Sequence, residues 1–426
     1  MAEKIYLKLI TKNNNKHPKC DDIIAAFYYH FELDKFCYVN FKHGDLPVES
    51  TFESFSSWLK QKQYKVYVNN KKWYKYWISG ELVDINIFGF IKNNEIIENK
   101  PEVCDVYMSM RLGDVNDYNL VIPYVTHQSK FNKEVSEIKS LFEKNDQSYC
   151  FKFFNNIVTD TLYEVEKNGL KVDESTFNQH FDARTYDGYV YTDYHIYNPT
   201  GRPSNCYDGV NYAALKKDDG SRASFVSRYD NGYLIMVDFT GFHPYLVANL
   251  VGYTVPEEET IYEHLAKKYY NIDVVDEEVL KKSKKLTMFN LYGEISKQYL
   301  NIDFFKKVEL LKNEYWKSFL EHGYVKTPIY KRKITNKHVL DPNKNKLFAY
   351  LIQAMETEHG MDRLSACIKY VKNKNILPIL YSYDAILFDV GNVHQSDIDD
   401  LINIIKNKKF KVKVYKGENY NNLVQI

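Results

Sequence analysis

Apolar runs of strand length occur at two places in the second half of the chain, and each leads to an aspartate. The first run covers residues 234–237 and is followed by Asp238 and then by a mostly apolar pattern with helical spacing. The second place has two apolar runs that meet at Tyr383 and Asp384, as in a hairpin. An isolated aspartate at a strand end often only caps the next helix. Two such strands in one sheet would instead bring two carboxylates together.

A pair of carboxylates at neighbouring strand ends predicts a site for divalent cations. Asp238 and Asp384 can hold two ions about 3.5–4 Å apart, an arrangement that activates an attacking hydroxyl and stabilises a leaving pyrophosphate. Oxygen ligands of this kind favour Mg²⁺, so we expect two Mg²⁺ ions, with Mn²⁺ able to substitute.

A lysine-rich segment between the two aspartates is predicted to be a helix. Lys281, Lys284, Met288 and Tyr292 recur at three- and four-residue spacing, so they would lie on one face. That face is cationic at one end and flat and apolar at the other, which suits a triphosphate followed by a base. A lysine-rich helix start is also typical of an ordinary solvated face.

The order and spacing of these segments resemble the family-A (DNA polymerase I-like) DNA polymerases, over roughly residues 160–426. Further segments that match the family pattern are Thr200-Gly201-Arg202, Gly323-Tyr324-Val325 with Thr327, the helix around Gln353, and residues 414–420. The resemblance implies a template-directed DNA polymerase that adds deoxynucleotides to a primer 3′-hydroxyl by a two-metal-ion mechanism. Primer–template DNA and dNTPs are then its expected partners.

The resemblance also implies a role for each site residue. Asp238, Asp384 and the backbone carbonyl of Phe239 would hold the metals, and both aspartates would be catalytic. The residues expected to bind dNTP are Lys281, Lys284, Met288, Tyr292, His243 and Tyr262. Those expected to bind DNA are Arg202, Lys216, Gly293, Gln353 and Tyr383.

Several positions depart from the family pattern. Ala385 replaces the acid that usually follows the second catalytic aspartate, Tyr383 replaces the preceding histidine, and Tyr262 replaces a fingers histidine. His243 stands where the family has the glutamate that excludes ribose 2′-hydroxyls, and an imidazole can occupy the same space. The family also has an additional arginine on the lysine-rich helix, and Lys281 is expected to replace it.

Residues 1–150 are predicted to form a separate α/β domain. Its predicted elements are strands at 5–10 and 64–68, helices at 52–61 and 103–112, and a helix start at 73–77. Their order resembles the 3′–5′ exonuclease-like (RNase H-like) domain that precedes many family members. Leu7, Leu9 and Lys75 stand where metal-binding acids are expected, and only Asp105 remains. We therefore expect a degenerate domain without nuclease activity; an unrelated α/β domain is the alternative.

The fold class expected for the rest is α+β, with an antiparallel palm sheet, helical fingers and a thumb that is largely absent. The expected parts are 151–188 (linker and vestigial thumb base), 189–250 and 345–426 (palm), and 251–344 (fingers). Only residues 182–188 stand where the family inserts a long helical thumb. This shortness predicts a processivity or thumb-substituting protein partner.

Composition narrows the classes of function further. The chain has 426 residues and a net charge of +1, so any DNA-binding surface must be local. Its 6 cysteines and 12 histidines lack the spacing of a zinc site or a disulfide framework. No apolar run is long enough to span a membrane and no signal-peptide pattern is present, so we expect a cytoplasmic protein without membrane contact. The richness in Lys, Asn, Ile and Tyr suggests an AT-rich genome, such as that of a virus or phage.

Two other functions fit the same motifs. One is a single-subunit RNA polymerase or primase, which nucleotide preference would distinguish. The other is a catalytically inactive polymerase-like DNA-binding subunit, against which the retention of Asp238, Lys284 and Asp384 argues.

Overall fold

A computed structural model describes residues 2–11, 17–42, 48–93, 135–136, 138–139 and 148–426. The chain divides into two compact units, Met1–Tyr163 and Glu164–Ile426. The helix predicted at 103–112, and with it Asp105, lies outside the described residues. Among the residues that are described, no helix is both long and apolar enough to cross a membrane.

The first unit contains a five-stranded mixed sheet. Its strands are β1 (Lys4–Thr11), β2 (Ile23–His30), β3 (Lys35–Asn40), β4 (Lys65–Val68) and β5 (Glu81–Asp84), in the order β3-β2-β1-β4-β5. β2 is antiparallel to both β1 and β3, whereas β4 is parallel to both β1 and β5. Its helices are a 3₁₀ turn (Pro18–Cys20), α1 (Phe52–Lys62), α2 (Lys71–Tyr74) and α3 (Ile85–Asn93).

Most of the predicted elements of this unit are present, and three strands, β2, β3 and β5, were missed. The predictions at 5–10, 64–68 and 52–61 correspond to β1, β4 and α1. β2 was missed because its residues are nearly all buried, so its sequence shows no alternation of apolar and polar positions. The helix start predicted at 73–77 is wrong. Helix α2 begins earlier because the Asn70 side chain caps it, accepting a hydrogen bond from the Trp73 amide at 3.2 Å.

The segment that joins the two units is helical. It consists of α4 (Tyr149–Lys152), a π-helical turn (Phe153–Val158) and α5 (Thr159–Asn168). Gly169 ends α5 with φ of 64°, and a Cβ there would lie 2.8 Å from the ring of Tyr191. Only glycine fits this close approach, which accounts for the end of the helix at this point.

The second unit is built on a five-stranded antiparallel sheet. Its strands are β10 (Tyr233–Phe239), β13 (Ile376–Ser382), β14 (Ala385–Val390), β15 (Val412–Gly417) and β16 (Val424–Gln425), in the order β13-β14-β10-β15-β16. One sheet face packs on a core that includes Leu234, Met236, Leu380 and Leu387. The remaining strands are short: β6 (Leu170–Lys171), β7 (Tyr189–Val190), β8 (Tyr194–His195), β9 (Ser204–Asn205), β11 (Tyr324–Lys326) and β12 (Lys333–Thr335).

Helices surround this sheet. They are α6 (Glu174–His180), α7 (Phe242–Leu250), α8 (Ile261–Tyr270), α9 (Glu277–Tyr292), α10 (Asp303–His322), α11 (Lys344–Val371) and α12 (Gln395–Lys406), with 3₁₀ turns at Tyr212–Ala214, Ser221–Ser224 and Lys297–Tyr299. Within the fully described stretch 148–426, no helix lies between α6 and β7, where a thumb was expected to be reduced. The expected α+β class, with an antiparallel palm-like sheet, is confirmed.

Candidate active site

The two predicted aspartates are brought together by the pairing of β10 with β14. Asp238 lies near the end of β10 and is in register with Ala385, the first residue of β14. Asp384 occupies the two-residue turn between β13 and β14, and Tyr383 before it has φ of 57°. The Phe239 amide donates a hydrogen bond of 2.8 Å to the Asp384 carbonyl, which fixes the turn against the strand.

Both carboxyl groups are held in an environment that disfavours their charge. Burial, and then the neighbouring Asp384 carboxylate, raise the pKa of Asp238 from 3.8 to about 6. Burial, and then the charge of Glu356, raise the pKa of Asp384. Lys217, Lys284 and Lys413 act in the opposite direction on Asp238 but do not cancel the rise. The two acids thus form a desolvated, mutually repelling pair.

This donor set suits divalent cations. Asp238 and Asp384 supply hard oxygen ligands, and a cation between them would relieve their repulsion. Because the N–H and C=O of one strand residue point the same way, the carbonyl of Phe239 faces the turn that carries Asp384. Among the residues that the structure describes, no group of three or more His, Cys, Asp or Glu side chains is arranged around a metal position. The candidate side-chain donors are the carboxylates of Asp238 and Asp384.

Helix α9 presents the predicted face toward solvent. Lys281 and Lys284 are exposed and Met288 and Tyr292 are half-buried, whereas Ser283 and Thr287 on the opposite side are buried. An Asp276 cap starts the helix. Lys281 forms an ion pair of 2.8 Å with Glu277, so this charge is shared with a neighbouring acid.

Tyr262 lies beside the face of α9 that carries Lys284 and Met288. Its hydroxyl donates to Met288 Sδ at 3.7 Å, and Lys284 Nζ lies 5.9 Å from its ring centre. Burial, and then the Asp384 charge, raise the pKa of Tyr262 to about 12. The backbone at Gly241 also lies close to the Tyr262 ring. A Cβ at this position would be 3.1 Å from the ring, so glycine allows the approach. Tyr262, Lys284 and Met288 thus lie together, and Lys284 and Tyr262 are near enough to the acid pair for their charges to interact with it.

His243 and Arg202 are linked by a residue that the sequence analysis did not identify, Glu356. Glu356 Oε2 lies 2.9 Å from Arg202 Nε and 3.2 Å from His243 Nε2. The His243 Nδ1 atom is hydrogen-bonded to the hydroxyl of Tyr292. Arg202 also stacks on Tyr383, with 3.7 Å between the guanidinium carbon and the ring centre. Four predicted site residues therefore meet around one unpredicted carboxylate.

The remaining predicted DNA-binding residues lie in different settings. Lys216 is exposed in the loop after Leu215, and it is its neighbour Lys217 whose charge acts on Asp238. Gln353 is half-buried on α11. Gly293 follows α9, and its carbonyl accepts a hydrogen bond of 2.7 Å from the fully buried Lys312.

Lys312 was also missed in the sequence analysis. Its ammonium contacts the carbonyls of Asn290 and Gly293 and the side chain of Asn345, and thus ties the end of α9 to α10 and α11. Burial lowers the pKa of Lys312 to about 8. One signal was available in sequence: Lys312, like Glu356, is a charged residue at an otherwise apolar helical position.

The positions in the first unit where nuclease acids were expected are occupied by core residues. Leu7 and Leu9 are 0% and 1% exposed and belong to the main apolar cluster of that unit. Lys75 is paired with Asp160 at 2.8 Å. The geometry at these positions provides an apolar core and an ion pair rather than carboxylate ligands.

Comparison with known proteins adds a likeness of fold. No family model matches the chain, and no curated protein matches it either. Among solved structures, the chain is similar to the POL domain of Pol1 from M. smegmatis in complex with DNA primer-template and dNTP, with a TM-score of 0.72 and 13% sequence identity. The likeness covers 99% of this chain and 96% of that one. The fold is that of a bacterial Pol1 POL domain. The expected fold is thereby confirmed, while the roles of individual residues stay predictions.

Proposed function

We propose that this protein is a template-directed DNA polymerase that transfers deoxynucleotides to a primer 3′-hydroxyl by a two-metal-ion mechanism, without proofreading. The observation that carries the proposal is the desolvated pair Asp238 and Asp384 beside the cationic face of α9. The similar Pol1 domain, solved with primer-template and dNTP, supports the same reading of the fold.

Each group then has a physical task. Asp238, Asp384 and the Phe239 carbonyl would hold two Mg²⁺ ions, which when bound lower the pKa of the primer hydroxyl and stabilise the leaving pyrophosphate. Lys284 contributes a point charge for the triphosphate. Tyr292 and Met288 supply flat, half-buried surfaces for the sugar and the base.

The absence of proofreading is supported by the first unit. Leu7 and Leu9 are packed in its core, and Lys75 places a positive charge where a cation would have to bind. A two-metal nuclease needs clustered carboxylates at these positions. We also propose a protein partner that substitutes for the reduced thumb, because the short segment 182–188 carries no helix that can grip a duplex.

Primer extension tests the proposal. Wild-type protein with Mg²⁺ should extend a DNA primer on a DNA template with dNTPs and poorly with rNTPs. Asp384→Asn should lower extension by a factor of at least about 10³, because the loss of one bridging carboxylate unbalances the metal pair. Asp399→Asn, an exposed aspartate on α12, is the matched control and should leave extension unchanged.

Three outcomes would contradict it. A preference for rNTPs would identify an RNA polymerase or primase. No extension with either substrate, together with retained DNA binding, would identify an inactive polymerase-like subunit. Undiminished extension by Asp384→Asn would reject the two-metal assignment.

A further inference from the structure

Glu356 is a buried acid at the centre of the candidate site. It lies on α11 and is 1% exposed. One carboxylate oxygen accepts a hydrogen bond of 3.1 Å from Arg202 Nη2. The other oxygen lies 2.9 Å from Arg202 Nε and 3.2 Å from His243 Nε2. Both distances are short enough for ion pairs, but the angles are not those of hydrogen bonds. Its charge also raises the pKa of Asp384, an effect common to both kinds of nucleotide, and its direct contacts in the site are with these two side chains.

The contacts of His243 determine the state of its ring. A carboxylate can only accept a proton, so His243 Nε2 must carry one in order to face Glu356 favourably. In the neutral ring this leaves Nδ1 free to accept a hydrogen bond from the Tyr292 hydroxyl. The imidazole is thus hydrogen-bonded at Nδ1 and faces the Glu356 carboxylate at Nε2, between the end of α9 and the middle of α11.

We infer that Glu356 is a specificity-determining positioning residue: its carboxylate holds the His243 ring where the ring excludes the 2′-hydroxyl of a ribonucleotide. The inference rests on the proposed polymerase function. Arg202, held by the same carboxylate, would contact the primer and would affect both kinds of substrate alike.

The test is the ratio of kcat/KM for single insertion of a dNTP and of the matching rNTP. Glu356→Gln keeps the size of the side chain but removes its charge, and we expect the ratio to fall about tenfold, since charge-assisted contacts of this kind are worth about that factor. His243→Ala should cause a similar fall. The double variant should fall no further than His243→Ala alone, because Glu356 acts through that ring.

Two matched variants separate this role from general damage. Glu358→Gln changes an equally buried acid on the same helix, which accepts a hydrogen bond from Thr327. It should leave the ratio unchanged. Arg202→Lys should lower insertion of both nucleotides by the same factor and also leave the ratio unchanged. An unchanged ratio in Glu356→Gln, or effects of Glu356→Gln and His243→Ala that add in the double variant, would overturn the inference.

Nitrogen-15 NMR of the histidine rings provides a measurement without turnover, with the His243 signals assigned by their loss in His243→Ala. Nε2 should be protonated in the wild type, and the ring-nitrogen shifts should move in Glu356→Gln. An unprotonated Nε2 in the wild type would overturn the inference even if the variant fails to fold. A wild type that inserts no nucleotide would reject the polymerase function. In that case, His243 signals that shift in Glu356→Gln would still support the positioning of His243 by Glu356. Signals that do not move would overturn the inference.

Discussion

The raised pKa of Asp238 predicts that removing this carboxylate stabilises the metal-free protein while it abolishes activity. Asp238→Asn keeps the shape of the side chain but can carry no charge. In the folded protein the ionised carboxylate is disfavoured by burial and by Asp384. The amide suffers neither effect, so the variant should unfold less readily than the wild type wherever Asp238 is ionised.

The size of this effect follows from the pKa. A rise from 3.8 to about 6 corresponds to about 3 kcal/mol at about 1.4 kcal/mol per tenfold change in the ionisation constant, and partial solvent access reduces it to about 2 kcal/mol. Because the folded-state pKa lies above the unfolded value, the penalty is absent below about pH 4. It grows between about pH 4 and about pH 6 and is nearly complete above about pH 7.

The difference in stability can be measured by urea-dependent hydrogen exchange. Mass spectrometry of peptides from β10 and β14 reports the free energy of unfolding of the second unit alone. With EDTA at about pH 8, Asp238→Asn should raise the free energy of unfolding by about 2 kcal/mol, and the gain should vanish near pH 4. Millimolar Mg²⁺ should stabilise the wild type but not the variant. In contrast, Asp389→Asn should destabilise the unit because it breaks a buried ion pair with Arg228. A variant no more stable than the wild type at about pH 8 would refute the reasoning.

Other predictions follow from the same geometry. No 3′–5′ degradation of a labelled primer should be detectable with Mg²⁺ or Mn²⁺, because Leu7 and Leu9 replace metal ligands; degradation that survives Asp384→Asn would show a separate nuclease site. His243→Ala should raise ribonucleotide incorporation, as measured by alkali-sensitive sites in the product, and unchanged sensitivity would exclude it as the sugar gate. Lys312→Met should lower extension about tenfold by releasing the end of α9. Since burial lowers the pKa of Lys312 to about 8, wild-type activity should decline above that pH and the variant should show no such decline. With the short segment 182–188 in place of a thumb, extension in the presence of a DNA trap should give short, salt-sensitive products; products hundreds of nucleotides long from the protein alone would contradict this.

The elements that carry the acids could be predicted because their signals are local. The apolar run 234–237 and the two runs flanking Tyr383 each contain enough residues to identify a strand, and the three- and four-residue spacing of α9 identifies a helix face. That the two strands share a sheet was only a condition in the sequence analysis, and the structure pairs β10 directly with β14.

The contacts around Glu356 could not be predicted because they depend on three elements distant in sequence. Nothing near Glu356 indicates that α11 passes behind both His243 and Arg202. The same holds for Lys312, whose role depends on the end of α9. Strand β2 was missed for a different reason, since burial of nearly all its residues removed the alternation on which strand prediction relies.

The buried acids of the second unit differ in what balances their charge, and this difference identifies the site better than burial does. Asp389 is 0% exposed, yet Arg228 and Ser227 satisfy it at 2.7 and 2.6 Å. Glu166 accepts the backbone amide of Tyr194 at 2.6 Å. In the described part of the chain, no ion pair reaches Asp238 or Asp384. Asp238 and Asp384, in contrast, are adjacent acids whose pKa values are raised, in part by neighbouring carboxylates. A divalent cation is the group that would supply the missing positive charge there.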